Sequence, residues 1–411
     1  MTRPWLMMPA LLLLTVGSVR GADDDPMMYG RRLSEWQETL SSGKKHPLVA
    51  QVTNFALGTG PSSQLLPRLT KSRRAALLVL ELSGKPDRKT IAAVVTALRE
   101  DPEEEIRIGA VTLLGQWGGK KKDLGLDALF AEARDAIILG MKDSAAPVRK
   151  AAAAAVADLV REDARQAVTT LIPLLKDKDP AVRMTAADTL RRLDKDAADA
   201  VPALLEVLKD RDAAPLLRMQ TALALGRIGT PDAKPALPAL KEVIADAKAP
   251  LEVRKAVAET LGRFGQDAAE AAPQLASALA PAEPTELRRQ AMAALDKLGA
   301  YAQKAVKEIQ KAMRDDDRFV RCLAMHCLGQ IGKDLDDDVR KDVVKVLLEA
   351  LADGSLEVRV AAIETLGTLG REVVGDAAEQ VEKRLKELSK DSRDAIRDAA
   401  NAALKRFGDK P

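Results

Sequence analysis

One short pattern recurs along this chain and limits its possible folds more than any other feature. It reads EIRIGAVTLLGQWG at 105–118, LLRMQTALALGRIG at 216–229, EVRKAVAETLGRFG at 252–265, RFVRCLAMHCLGQIG at 318–332 and EVRVAAIETLGTLG at 357–370. An apolar residue precedes an arginine. A small residue follows three positions later, leucine seven later, often glycine eight later, and glycine eleven later. The arginines are Arg107, Arg149, Arg183, Arg218, Arg254, Arg288, Arg321, Arg359 and Arg397, and Arg73 heads a weaker tenth copy, SRRAALLVLELSG. From Arg73 onward the spacings are 34, 42, 34, 35, 36, 34, 33, 38 and 38 residues. Self-similarity at such a period marks stacked units, each too small to bury its own apolar face.

The pattern has physical content. Positions −1, +3, +7 and +10 from the arginine follow a helical period, so they form one apolar stripe. The small residue at +3 lets a neighbouring helix come close, and glycine at +11 suits the left-handed residue that ends a helix. A second amphipathic segment precedes each copy, as in AVTTLIPLLKD, AVPALLEVLKD, AVKEIQKAMRD and VVKVLLEALAD. The unit is therefore a pair of antiparallel helices, with Pro202 and Pro273 early in their first helices, where a missing N–H costs nothing. Composition agrees. Hydrophobic residues make up 46% and aromatic residues 2%, so the core is Ala, Leu and Val on slim helices, and strand formers are too sparse for a sheet protein.

Six residues before the arginine stands an aspartate in seven of the nine strong copies: Asp101, Asp143, Asp177, Asp212, Asp315, Asp353 and Asp391. Each falls in the turn before the second helix, where a carboxylate accepts backbone N–H bonds and opposes the helix dipole. A ladder of Asp–Arg bonds between successive turns would tie the stack together. The segments DPAVRMTAADTLRRL, DSAAPVRKAAAAAV and DGSLEVRVAAIETLGTLG resemble the HEAT repeat, in particular the HEAT-like form named for phycobilisome lyase subunits. The resemblance covers residues 65–408. It implies an all-α fold, a right-handed α-solenoid (armadillo/HEAT-like superhelix) of about ten two-helix repeats, without a sheet. It also implies a non-catalytic protein–protein interaction scaffold or adaptor, the family including a few enzymes.

Three segments are expected. Residues 1–21 read as a signal peptide, with Arg3 at the start, an apolar run from Leu6 to Val16 and a small-residue exit near Gly21. The alternative is an anchor formed by an uncleaved N-terminal segment, against which the run is shorter than the roughly 20 residues that span a bilayer. The expected location is thus exported, periplasmic or extracellular. Residues 22–64 form a capping segment, with a short helix carrying Leu33, Trp36 and Leu40 on one side, and residues 65–411 the array. The wide 42-residue spacing comes from GGKKKDLGL at 118–126, a loop. The run DLDDD at 334–338 lacks the glycine and distal glutamate of an EF-hand and reads as a solvated turn. Formal net charge is +3, and two positive charges, Arg3 and Arg20, lie in the leader. The remainder is close to neutral, which argues against nucleic acid or an anionic membrane as a partner chosen by bulk charge.

Both cysteines, Cys322 and Cys327, and one of the two histidines, His326, cluster within one copy. Cys327 occupies a slot filled elsewhere by Ala, Thr or Leu, so it reads as a compact buried hydrophobe. On one helix the two cysteines sit about 8 Å apart, beyond the roughly 7 Å reach of a disulfide. Structural zinc wants four ligands, and His46 lies at the other end of the array. The rival enzymatic readings are a phycobilin lyase or a metal-dependent oxidoreductase. HEAT-like hydroxylases hold iron with repeated His-Glu pairs, whereas here the pairs read His46-Pro47 and His326-Cys327. No chromophore-handling residue, phosphate loop or catalytic triad is legible. No cofactor or small-molecule substrate is expected.

In arrays of this kind the second helix commonly lines the concave side. Its outward positions are +1, +5 and +9, away from the apolar stripe. Across neighbouring copies these give a basic row, Arg192, Arg227, Arg263 and Lys297, beside an apolar spot of Met184, Met219 and Leu223. Such residues are the candidate contacts for a protein partner on that face. Cations near helix C-termini are also favoured by the dipole, and Glu259–Arg263 can pair within a helix.

Overall fold

The computed structural model describes residues 27–28, 31–42, 68–82, 86–119, 130–159 and 164–408. The leader, residues 46–58 and most of the GGKKKDLGL segment lie outside the described residues. Nine helix pairs follow one another among the described residues, one for each strong copy of the pattern. Their second helices are Glu104–Gly119, Ala146–Leu159, Pro180–Leu193, Pro215–Ile228, Leu251–Phe264, Thr285–Leu298, Arg318–Ile331, Leu356–Val374 and Asp394–Gly408. Each is preceded by a shorter or similar helix, such as Val201–Lys209 or Asp337–Ala350. The chain is an all-α solenoid fold. Its residues divide into two compact units, Met1–Thr189 and Leu190–Pro411.

The expected stripe is the core. Val253, Val257, Leu261 and Phe264 are all buried in one second helix, and Leu287, Ala291, Leu295 and Leu298 in the next. Pro202 and Pro273 stand in the first turns of Val201–Lys209 and Ala272–Ser277, where no backbone donor is lost. Position +11 is left-handed in Gly229, Gly265, Gly299, Gly332 and Gly370, with φ between 49° and 72°. Asp194 takes the same place without being glycine, at φ 56°. Gly118 departs from the rule, because its helix runs on to Gly119.

The small residue at +3 meets a first helix, as where a Cβ on Gly140 would stand 3.3 Å from Ala152 Cβ, while consecutive second helices approach at another pair of positions. A Cβ on Gly262, at +8, would meet Ala294 Cα at 3.0 Å, and one on Gly367 would meet Ala403 Cα at 2.7 Å. Ala294 and Ala403 stand at +6 in the following copy, so glycine at +8 and a small residue at +6 form one contact. Thr189 and Thr260, also at +6, donate their hydroxyls to Ala153 O at 2.8 Å and Ala222 O at 2.7 Å.

At the N-terminal end, helix Leu33–Ser42 packs on Arg68–Leu82 and Arg88–Glu100. Trp36 is buried there, and Gln37 donates to Thr90 Oγ1 at 2.6 Å. Among the described residues one strand pairing occurs, and it leaves the all-α fold intact. Met27–Met28 pairs antiparallel with Arg31–Arg32, a ladder too short to carry a core. The DLDDD segment does open a helix, at Asp337, with Asp334 and Asp336 exposed.

Candidate protein-contact face

The repeated arginines and acids form the expected ladder, in a defined geometry. Arg149 donates from Nε and Nη2 to both carboxylate oxygens of Asp177 in the next copy, at 2.7 Å each. Its Nη1 donates back to Asp143 O, in its own turn, at 2.9 Å. Asp177 in turn accepts the N–H of Asp179 at 2.9 Å. Arg107–Asp143 and Arg288–Asp315 repeat the two-pronged fork at 2.7–2.9 Å, while Arg73–Asp101 and Arg321–Asp353 join consecutive turns at 3.1 and 3.0 Å. The Arg149 fork, against the cost of burial and with the Asp179 N–H, holds the Asp177 carboxyl below the usual range. These charges tie turn to turn.

Three positions correct the sequence reading. In the copies of Arg218 and Arg254 the capping carboxylate is eight residues before the arginine, not six. Asp210 Oδ1 accepts Asp212 N, and Asp246 Oδ1 accepts Lys248 N, each at 2.9 Å. The turns there are longer because Ala214 and Pro250 are extended before the helix begins. Asp212 is therefore not the capping residue. The copy of Arg288, which lacks the aspartate, uses Glu283, gripped by Arg254 at 2.7 and 2.8 Å. Counting back from the arginine missed this; counting forward from the Leu208-Lys209-Asp210 that ends the first helix would have found Asp210. The ladder is also interrupted. Among the described residues Arg183, Arg218 and Arg359 form no ion pair; Arg183 donates only to the carbonyls of Asp177 and Lys178, while Asp246 pairs with Arg211 at 3.0 Å and Asp391 with Arg393 at 2.8 Å.

The cysteine cluster is absorbed into packing. Cys327 is buried with its thiol directed to Leu295 O at 3.5 Å, and burial pushes that thiol well up. Cys322 is half-buried, and His326 is exposed, its Nδ1 at 2.6 Å from Asp296 Oδ1. No group of three metal-ligating side chains occurs among the described residues.

That leaves the outward row. Arg192, Arg227, Arg263 and Lys297 are exposed; Met184, Met219 and Leu223 are half-buried at the surface. Met184 belongs to the first unit and the other six to the second. Within the second unit Arg227, Arg263 and Lys297 follow one another on helices in contact. Arg263 Cδ lies 3.2 Å from where a Cβ on Gly226 would stand, and Lys297 Cδ 3.3 Å from one on Gly262. Arg263 pairs with Glu259 at 3.0 Å, as the spacing predicts. Arg227 and Lys297 have no ion pair among the described residues.

Family models decide what such an array is. The model for HEAT repeats matches residues 134–214, 211–296 and 272–340, about half of the chain, and a HEAT repeat model matches 343–373. The chain belongs to the HEAT-repeat family. The crystal structure of an engineered protein, 18% identical, superposes on this HEAT array with a TM-score of 0.55, covering 89% of this chain and 100% of its own. That likeness concerns the fold alone. No curated protein matches the chain. Among the described residues no helix is long and apolar enough to cross a membrane.

Proposed function

We propose that the chain is a non-catalytic protein–protein interaction scaffold, built from HEAT repeats of the phycobilisome-lyase HEAT-like type and acting outside the cytoplasm. The observation that carries the reading is a division of labour among polar residues. Those that recur in every copy are spent on the ladder and the turns, while positions +1, +5 and +9 differ from copy to copy and face solvent. Variation on a fixed frame is how a repeat array acquires a specific surface. The partner lies on the concave side, along the second helices. Glycine-to-alanine contact between consecutive second helices in the second unit supports that placement, since the helices packed closest lie on the inside of a curve. The leader-like start of the chain, Arg3 followed by the apolar run, supports export. The Arg/Gly register supports the repeat type.

Affinity capture from the cell envelope of the native source tests the reading, comparing the parent with Arg227→Glu/Arg263→Glu and with Arg288→Ala. The charge-reversed protein should lose its partner while melting normally, because exposed helix charges contribute only about 0.3–1 kcal/mol each. The ladder variant should lose stability first. A stoichiometric metal or chromophore on the purified protein would instead favour the enzymatic reading.

A further inference from the structure

One helix of the array has a surplus of apolar surface. In Pro215–Ile228, residues Leu216, Met219, Leu223 and Arg227 follow the spacing i, i+3, i+7, i+11, which places them on one face. Leu216 is 57% exposed, and Met219 and Leu223 are half-buried. The opposite side of this helix buries Leu217, Ala222, Leu225 and Ile228. A helix apolar on both sides is one that is covered on both sides. The repeat itself does not demand this. The matching positions of the next helix are Glu252, Lys255 and Glu259, and those of the one after are Glu286, Arg289 and Ala293. At the C-terminal end of the stripe stands the exposed Arg227, without an ion pair among the described residues, followed along the row by Arg263 and Lys297.

Taking the scaffold reading as given, we propose that this stripe is the docking site for an acidic amphipathic segment of a protein partner. Its apolar side chains cover Leu216, Met219 and Leu223, and its carboxylate meets Arg227. Charge complementarity selects the occupant. An apolar strip ending in uncompensated positive charge fits a segment that is apolar along one side and acidic at one end. An anionic membrane is disfavoured by Glu252, Glu259 and Glu286 on the flanking helices, and by the half-burial of Met219 and Leu223, which leaves little to insert.

Selection of a displayed random-peptide library on the purified full chain tests this, followed by affinity measurement on Leu216→Ser, on Leu216→Ser/Met219→Ser and on Arg227→Glu. The expected peptides carry apolar residues at helical spacing with Asp or Glu beyond one end. Their affinity should fall at least tenfold on the double variant and severalfold on Arg227→Glu. A peptide with its acidic residue replaced by lysine should regain binding to Arg227→Glu. Leu216 is mostly exposed, so Leu216→Ser should leave helicity and melting unchanged, and this variant keeps the test valid if the double variant unfolds. Peptides that bind all three variants as tightly as the parent would overturn the stripe while leaving a protein-binding scaffold intact. Failure of any peptide to enrich, or enrichment of neutral or basic ones, would overturn the stated chemistry. Self-association abolished by Leu216→Ser would assign the stripe to a second copy, and co-sedimentation with phosphatidylserine–phosphatidylcholine vesicles would assign it to lipid; either result overturns the proposal.

Discussion

Arg288 shows at the scale of one residue why the same side chain returns in every repeat. It reaches forward to Asp315 with two bonds and back to Glu283 O with a third, so its removal strands a carboxylate that is 8% exposed. Arg288→Ala should cost about 1–3 kcal/mol, the price of a buried group left unpaired, read as a lower urea midpoint. The ladder also sets an acid limit. Asp177 and Glu283 have carboxyl groups held below the usual range by their arginine forks. Their stabilisation is complete above the unfolded carboxylate values, about 4, and is lost as pH falls through that region toward the lowered values. The melting temperature should therefore stay level from about pH 8 to pH 5 and drop below about pH 4. Asp194 offers the opposite sign. Holding φ 56° costs a residue with a Cβ about 1 kcal/mol, so Asp194→Gly should raise stability by up to that amount in thermal melts. Sequence made the arginines and most of the aspartates legible because they recur in register. It hid Asp210, Asp246 and Glu283, because turn length varies and the carboxylate follows the first helix rather than the arginine.

At the scale of elements, helix identity and order were readable from periodicity alone, since one stripe marks each second helix and a glycine at +11 follows most of them. The site of closest helix contact was not. Small residues occur at both +3 and +6, and only the three-dimensional arrangement shows that +6 meets the glycine at +8. Gly367→Ala exposes the difference. At a free helical site alanine would be favoured over glycine by about 1 kcal/mol. Here its Cβ would meet the Ala403 backbone at 2.7 Å, so we expect a loss of about 1–3 kcal/mol, the usual range for overpacking. Gly354, with nothing within 4 Å of its Cβ position, should tolerate alanine without loss. Equal melting temperatures for the two variants would contradict this account of the interface. The outward row was legible as a face, since its members are exposed or half-buried. The surplus on Pro215–Ile228 emerged only when Leu216 joined Met219 and Leu223, because −2 lies outside the +1, +5, +9 register.

In the whole molecule a repeated frame carries a variable face, and the proposed function rests on that face. The frame explains the low aromatic content: Ala, Leu and Val suffice where glycine brings helices nearly to backbone contact, and length replaces a thick core. What the array binds follows from side chains that no repeat predicts. The measurement that bears most directly on this is site-specific photo-crosslinking in the native source, with the reactive residue placed either at Leu223 on the second-helix face or at the exposed Glu242 of helix Leu237–Ala245. The account predicts a discrete protein adduct from position 223 and none from position 242. An adduct from 242 alone, or the same adducts from both, would contradict it.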